Sequence, residues 1–146
     1  RSNLRREYVK STLVSLDDLS AGDLKGQVDE FEELGRRWLQ PQLDRGGRIA
    51  FAHRADMRYV GQSYNLTVDL PELTLDDEAF RAELGRRFAE AHRRLYRYTD
   101  DGAPIEALNL RVEAIGIAEA ATGAFLRGAE SGGAGGRETV RTAYFG

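Results

Sequence analysis

Cysteine is absent, so the chain has no disulfide framework, no thiolate zinc site, no iron–sulfur cluster and no thiol nucleophile. Histidine is nearly absent. His53 and His92 are the only imidazoles, no HExxH-like spacing surrounds them, and a metal site would need ligands from elsewhere, so no metal is expected. A basic excess is also missing: 21 basic residues face 24 acidic ones, for a net charge of −3, which argues against a nucleic-acid partner. No apolar run approaches the roughly 18–20 residues of a membrane span, so no membrane partner is expected. Lysine is scarce. Only Lys10 and Lys25 are lysine and the other 19 basic residues are arginine, a compositional bias that weakens any arginine cluster as a sign of an anion site. Arg1 rather than Met opens the chain, with no basic-then-apolar leader pattern. The expectation is a soluble, cytoplasmic chain, processed or cut from something longer. At 146 residues it suits a single domain spanning 1–146, in which roughly 68–70% of the unfolded surface can be buried.

What is present is alternating order. The stretch from Ser2 to Ser15 is mixed, and strand and helical turn both fit it. Leu24, Val28, Phe31, Leu34 or Gly35, and Trp38 recur at helical steps, so the spacing predicts a helix over 20–40 that Pro41 ends. Arg45-Gly46-Gly47 reads as a turn. Ile49, Phe51, Ala55, Met57 and Tyr59 then alternate with polar residues as a half-buried strand. Tyr64 to Leu70 continues that alternation, as a second strand or a bent extension of the first. Thr74 and Asp77 resemble a capping box ahead of a second helix over 75–98, whose stripe is Phe80, Leu84, Phe88, Ala91, Leu95 and Tyr98. Leu108, Leu110, Val112 and Ala114 mark another strand, with a phase slip at Ile115 and Ile117 that suggests a bulge or a strand buried on both faces. Gly128–Gly136 reads as a flexible glycine-rich loop without a GK[ST] phosphate motif, and Thr139–Tyr144 as a last strand. The sum is an α+β fold: an antiparallel sheet of three to four strands with two main helices packed on one face.

The most unusual segment is Phe51–Gln62. One strand face carries Arg54, Asp56 and Arg58 at i, i+2 and i+4. An arginine fork binds carboxylate or phosphate, and Asp56 between two arginines is placed to orient them. Gly61 permits close approach, and Gln62 both donates and accepts. A solvated strand face with ordinary ion pairs competes with that reading. His53 falls in the apolar phase of its strand, and His92 lies beside the stripe of the second helix. A hydrogen-bonded structural role is favoured for each over a general base. The arginines of the second helix read as a solvated face. No nucleophile–base set is recognisable, so the isolated chain is not marked as an enzyme.

Arg54-Ala-Asp-Met-Arg-Tyr-Val-Gly-Gln-Ser-Tyr-Asn-Leu-Thr-Val68 resembles the ADxRYxGQxxELxV stretch of the hydantoinase A / 5-oxoprolinase family. Phe88-Ala-Glu-Ala-His92, with Tyr96 four residues later, resembles that family's FHxxHxxxYG helix. Glu106–Gly116, with Asn109, Leu110 and Arg111, resembles its vElvnlRv strand, and Asn3–Val9 the segment preceding them. Three positions depart from the pattern: Asn65 stands for Glu, Ala89 for the first His, and Arg97 for the Gly after Tyr96. The resemblance implies the C-terminal domain of a longer, ATP-dependent enzyme that opens a cyclic amide such as 5-oxoproline or hydantoin. ATP and Mg would belong to the parent, with no cofactor in this chain. The remaining hydantoinase A-type polypeptide, a hydantoinase B-type subunit and a small cyclic amide would be its partners. Acetone and acetophenone carboxylases are relatives, so ketone carboxylation is the alternative reaction. A non-catalytic assembly domain is the alternative role. On this resemblance Asp56, Arg58, Tyr59, Gly61 and Gln62 would face substrate or the rest of the enzyme, with Arg58 holding an oxyanion and Asp56 orienting it. His92 is a weaker catalytic candidate.

Overall fold

The computed structural model describes residues 4–43, 46–100, 102–117 and the backbone of 143–145. Its elements are β1 (Leu4–Ser15), α1 (Ala21–Leu39), β2 (Arg48–Tyr59), β3 (Leu66–Asp69), α2 (Asp77–Tyr96), β4 (Ile105–Ile117) and β5 (Ala143–Phe145). Single 3₁₀ turns at Leu16–Asp18 and Gln40–Gln42 flank α1. The sheet order is β3-β2-β4-β1-β5. The first four strands are antiparallel, as expected, and β5 adds a short parallel strand beside β1. The mixed N-terminal stretch is thus a strand, and Leu66–Asp69 forms a hairpin with β2 rather than extending it. The glycine-rich segment 128–136, the turn residue at position 45 and the start of the expected last strand lie outside the described residues.

Alternation along the strands decides the layers. Tyr8, Phe51, Ala114 and Gly35 of α1 meet on one sheet face, and Tyr59 packs on Phe88 of α2 on the same face. Both helices therefore cover one side, over a core that includes Tyr8, Phe31, Leu39, Met57, Phe80, Leu84, Phe88, Leu110 and Val112. Ser20 caps α1 by accepting from the Asp23 amide. Asp76, not Thr74, caps α2, accepting from the Ala79 amide. The expected slip at Ile115 and Ile117 does not occur there. Burial alternates through Gly116, and the irregularity falls where Asp56 pairs with Asn109 and Met57 with Ala107, which leaves Leu108 as the extra residue. The stripe of α2 is Phe80, Leu84, Phe88 and His92, because four-residue steps carry it onto the histidine and leave Leu95 exposed.

Gly35 sets how closely α1 approaches the sheet. A Cβ there would lie 2.7 Å from the Ala114 Cβ and 3.1 Å from the Phe51 ring. In Gly26, on the solvent side of the same helix, a Cβ would meet nothing within 4 Å. Alanine removes up to about 1 kcal/mol of helix penalty at either site, but overpacking costs about 1–3 kcal/mol. Gly26→Ala is expected to stabilise the chain and Gly35→Ala to destabilise it in urea unfolding. Equal gains from both would refute the close approach.

Candidate functional site: a charge lattice on the open sheet face

The face opposite the helices is polar. In register, Arg54 lies opposite Arg111 and Glu7 opposite Glu113, which places like charges across adjacent strands. Diagonal pairs between β2, β4 and β1, with one direct pair to β3, resolve the conflict. Arg54 bonds Glu113 diagonally at 3.4 Å and Asp69, directly opposite on β3, at 3.1 Å, and Arg5 bonds Glu113 at 3.2 Å. Arg111 bonds Asp56 at 2.8 Å and Glu7 at 3.0 Å. The lattice thereby crosses β3, β2, β4 and β1 with alternating sign.

Asp56 is its centre and is 2% exposed. Arg111 Nε–H is shared between the two carboxylate oxygens at 3.0 and 2.8 Å. Asn109 Nδ2 donates to Oδ2 at 2.9 Å and Thr67 Oγ1 to Oδ1 at 2.7 Å. A buried carboxylate is tolerable only with such a set of donors. The residue that Asp56 holds is therefore Arg111, not Arg58. Arg58 instead donates from Nε to Glu106 at 2.6 Å and from Nη1 to the Gln62 carbonyl at 2.9 Å. That ties the β2–β3 turn to β4. Gly61 in this turn has φ +96°, with nothing within 4 Å of a Cβ, so backbone conformation rather than space calls for glycine. The Gln62 amide donates to the Tyr59 carbonyl at 3.1 Å, and Gln62 Oε1 is buried without a hydrogen-bond partner.

Tyr59 points the other way, into the helix-covered core, and its hydroxyl accepts from the Asp100 amide at 3.1 Å. There it meets His92, which is fully buried. The His92 ring lies 4.8 Å from Tyr59, 5.8 Å from Phe88, 4.9 Å from Tyr96 and 5.0 Å from Tyr98. Nδ1 is 2.8 Å from the Tyr98 carbonyl, which only accepts, so Nδ1 carries the proton. Nε2 faces the Tyr64 hydroxyl at 3.4 Å. Burial, followed by a hydrogen bond with Tyr98, pushes the Tyr64 phenol up to about 12, so it stays protonated as a donor. His53, the other imidazole, bonds Glu32 of α1 through Nε2 at 2.7 Å and shares none of this cage.

The five strand-and-turn candidates thus divide. Asp56, Arg58, Gly61 and Gln62 belong to the open face and its turn, whereas Tyr59 and His92 belong to the core beneath α2. Periodicity missed Arg111, Asn109, Thr67 and Glu106, although Thr67 stood in the first family-like motif and Glu106, Asn109 and Arg111 in the strand motif. The arginines of α2 are largely spent on their own helix: Arg86 and Arg87 each reach Glu83 at 2.8 Å, and Arg94 reaches Glu90 at 3.4 Å. Those two hydrogen bonds hold the Glu83 carboxyl down at about 2. Among the described residues no group of three or more His, Asp or Glu is placed to hold a metal ion, and no helix is long and apolar enough to cross a membrane.

Arg97 ends α2 at φ +66°, in the left-handed region. Glycine carries no Cβ penalty there, which offsets its greater loss of chain entropy. Arg97→Gly is expected to raise stability by about 0.5–1 kcal/mol. A lower urea midpoint would contradict that geometry.

No protein-family model matches the chain. Caprolactamase subunit alpha from Pseudomonas jessenii is 27% identical over 118 residues, which is 78% of this chain and 17% of that protein. The crystal structure of ATP-dependent caprolactamase from the same organism superposes with a TM-score of 0.65 at 25% identity, over 76% of this chain and 16% of that one. A nucleotide-free acetone carboxylase structure superposes with a TM-score of 0.57 at 15% identity, over 76% and 17% of the two chains, a likeness of fold alone. The chain spans about a sixth of the length of these relatives.

Proposed function

We propose, from likenesses that support the hydantoinase/5-oxoprolinase-like family, that this chain is a C-terminal-type domain of an ATP-dependent enzyme that opens a cyclic amide. The observation that carries the reading is the 27% identity to a caprolactamase subunit alpha over 78% of the chain. Hydrolysis of a lactam C–N bond is thereby preferred to ketone carboxylation, for which the likeness is one of fold only. The relative's designation as a subunit alpha supports a partner subunit. ATP and Mg are assigned to the rest of the parent.

Within that enzyme the domain positions rather than reacts. Asp56 spends its acceptor capacity on its own sheet, and Arg58 gives two of its five donors to Glu106 and the Gln62 carbonyl, which favours a positioning role over substrate contact. The test is ATP turnover by the parent polypeptide with its companion subunit, offered caprolactam, 5-oxoproline, hydantoin, N-methylhydantoin, or acetone with bicarbonate. Stimulation by a cyclic amide is expected. Stimulation by acetone and bicarbonate alone would move the assignment to the carboxylase branch. Arg58→Ala in the parent should alter subunit association more than KM; the reverse would restore the substrate-contact reading.

A further inference from the structure

At the other end of the sheet, β1 bulges between Ser11 and Val14, with Leu13 at φ +42°. Beside this bulge a cleft of about 270 Å³ opens between β1, the 3₁₀ turn and the first turns of α1. Its apolar lining includes Leu19, Leu24 and Leu110. Its charged residues are Lys10, Asp18 and Asp23. Lys10 has no ion-pair partner among the described residues, although two carboxylates line the same cleft. Neither carboxylate is paired with a basic group there. The contrast with the open face is sharp, because there nearly every charge is matched at 3.4 Å or less.

An apolar cleft with a few convergent polar groups is the usual form of a small-molecule site. Here the polar groups are of both signs and do not neutralise each other. We infer that this cleft binds a small zwitterion with an apolar spacer, an ω-amino carboxylate, whose carboxylate meets Lys10 and whose ammonium meets Asp18 and Asp23. The ligand class follows from the cleft's own charges and apolar lining. It also matches the product class of the proposed reaction, since water added across a lactam C–N bond leaves a carboxylate at one end and an amine at the other. The site would then sense product away from the charge lattice.

The experiment is a titration of the full 146-residue chain, followed by amide chemical shifts and calorimetry, with 6-aminohexanoate, hexanoate and hexylamine. The aminohexanoate is expected to bind about tenfold or more tighter than either singly charged analogue, with shifts confined to β1, the 3₁₀ turn at Leu16–Asp18, the start of α1 and the stretch of β4 around Leu110. Lys10→Met and Asp23→Asn should each weaken it about tenfold, with the urea midpoint unchanged for the first and only slightly lowered for the second, because Asp23 lies in the first turn of α1. Equal binding of the three probes, no saturable binding, or unaltered affinity in both variants would overturn the inference. These outcomes are separate from ATP turnover by the parent: a parent inactive on lactams would leave a zwitterion site standing, and an active parent would not rescue an empty cleft.

Discussion

Asp56→Ala is expected to lower the stability of the chain by about 3–5 kcal/mol, the cost of removing one partner from a buried ion pair. That is a large fraction of the roughly 5–15 kcal/mol available to a domain, so the variant should unfold at a much lower urea concentration. The physical reason is what remains behind. Arg111, Asn109 and Thr67 all aim donors at one carboxylate that is 2% exposed, and its removal leaves Asn109 without that acceptor and the half-buried Arg111 with Glu7 but not Asp56. The other ion pairs of the face are more open and individually small, about 0–1 kcal/mol each. Arg5→Ala or Arg54→Ala should therefore cost far less than Asp56→Ala. Replacing Asp56 and Arg111 together by leucine and methionine should recover part of the loss, because the desolvation cost leaves with those two charges while Asn109 still loses Asp56 and Glu7 still loses Arg111. A loss below about 1 kcal/mol for Asp56→Ala would show that the carboxylate is not the keystone of the lattice.

The second large effect is at His92. Its ring is enclosed by Tyr59, Phe88, Tyr96 and Tyr98, so His92→Ala leaves an aromatic-sized cavity and is expected to cost about 3–4 kcal/mol. His92→Phe refills the space but leaves the Tyr98 carbonyl and the Tyr64 hydroxyl without their partner, at about 1–3 kcal/mol. His92→Asn retains an N–H for the Tyr98 carbonyl and should be milder than alanine. These variants also separate a structural imidazole from a catalytic one. With a structural imidazole, turnover by the parent falls only as the folded fraction falls. A folded His92→Asn parent with no turnover would make His92 catalytic.

Much of this architecture was legible locally. Helical spacing from Leu24 to Trp38 and from Phe80 to Phe88, and two-residue alternation around Phe51–Tyr59 and Leu66–Val68, place hydrophobic residues on one side whatever the chain does later. They determined two helices, at least three strands and the helix-covered face. The polar phase of β2 likewise announced Arg54, Asp56 and Arg58 as a row. Local pattern could not assign their partners. Asp56 is joined to Arg111 across 55 positions and Arg58 to Glu106 across 48, and such pairs are set by strand order and register. A bulge at Leu108 and the antiparallel β2–β4 register bring Arg111 diagonally to Asp56. Sequence distance alone pairs Asp56 with Arg54 or Arg58, two residues away on either side. His92 illustrates the same limit on a helix, since only the packing of Tyr59 and Tyr64 against α2 decides whether position 91 or 92 turns inward. Periodicity thus determined which residues are buried together. Long-range register, which carries no local signature, decided which charges meet.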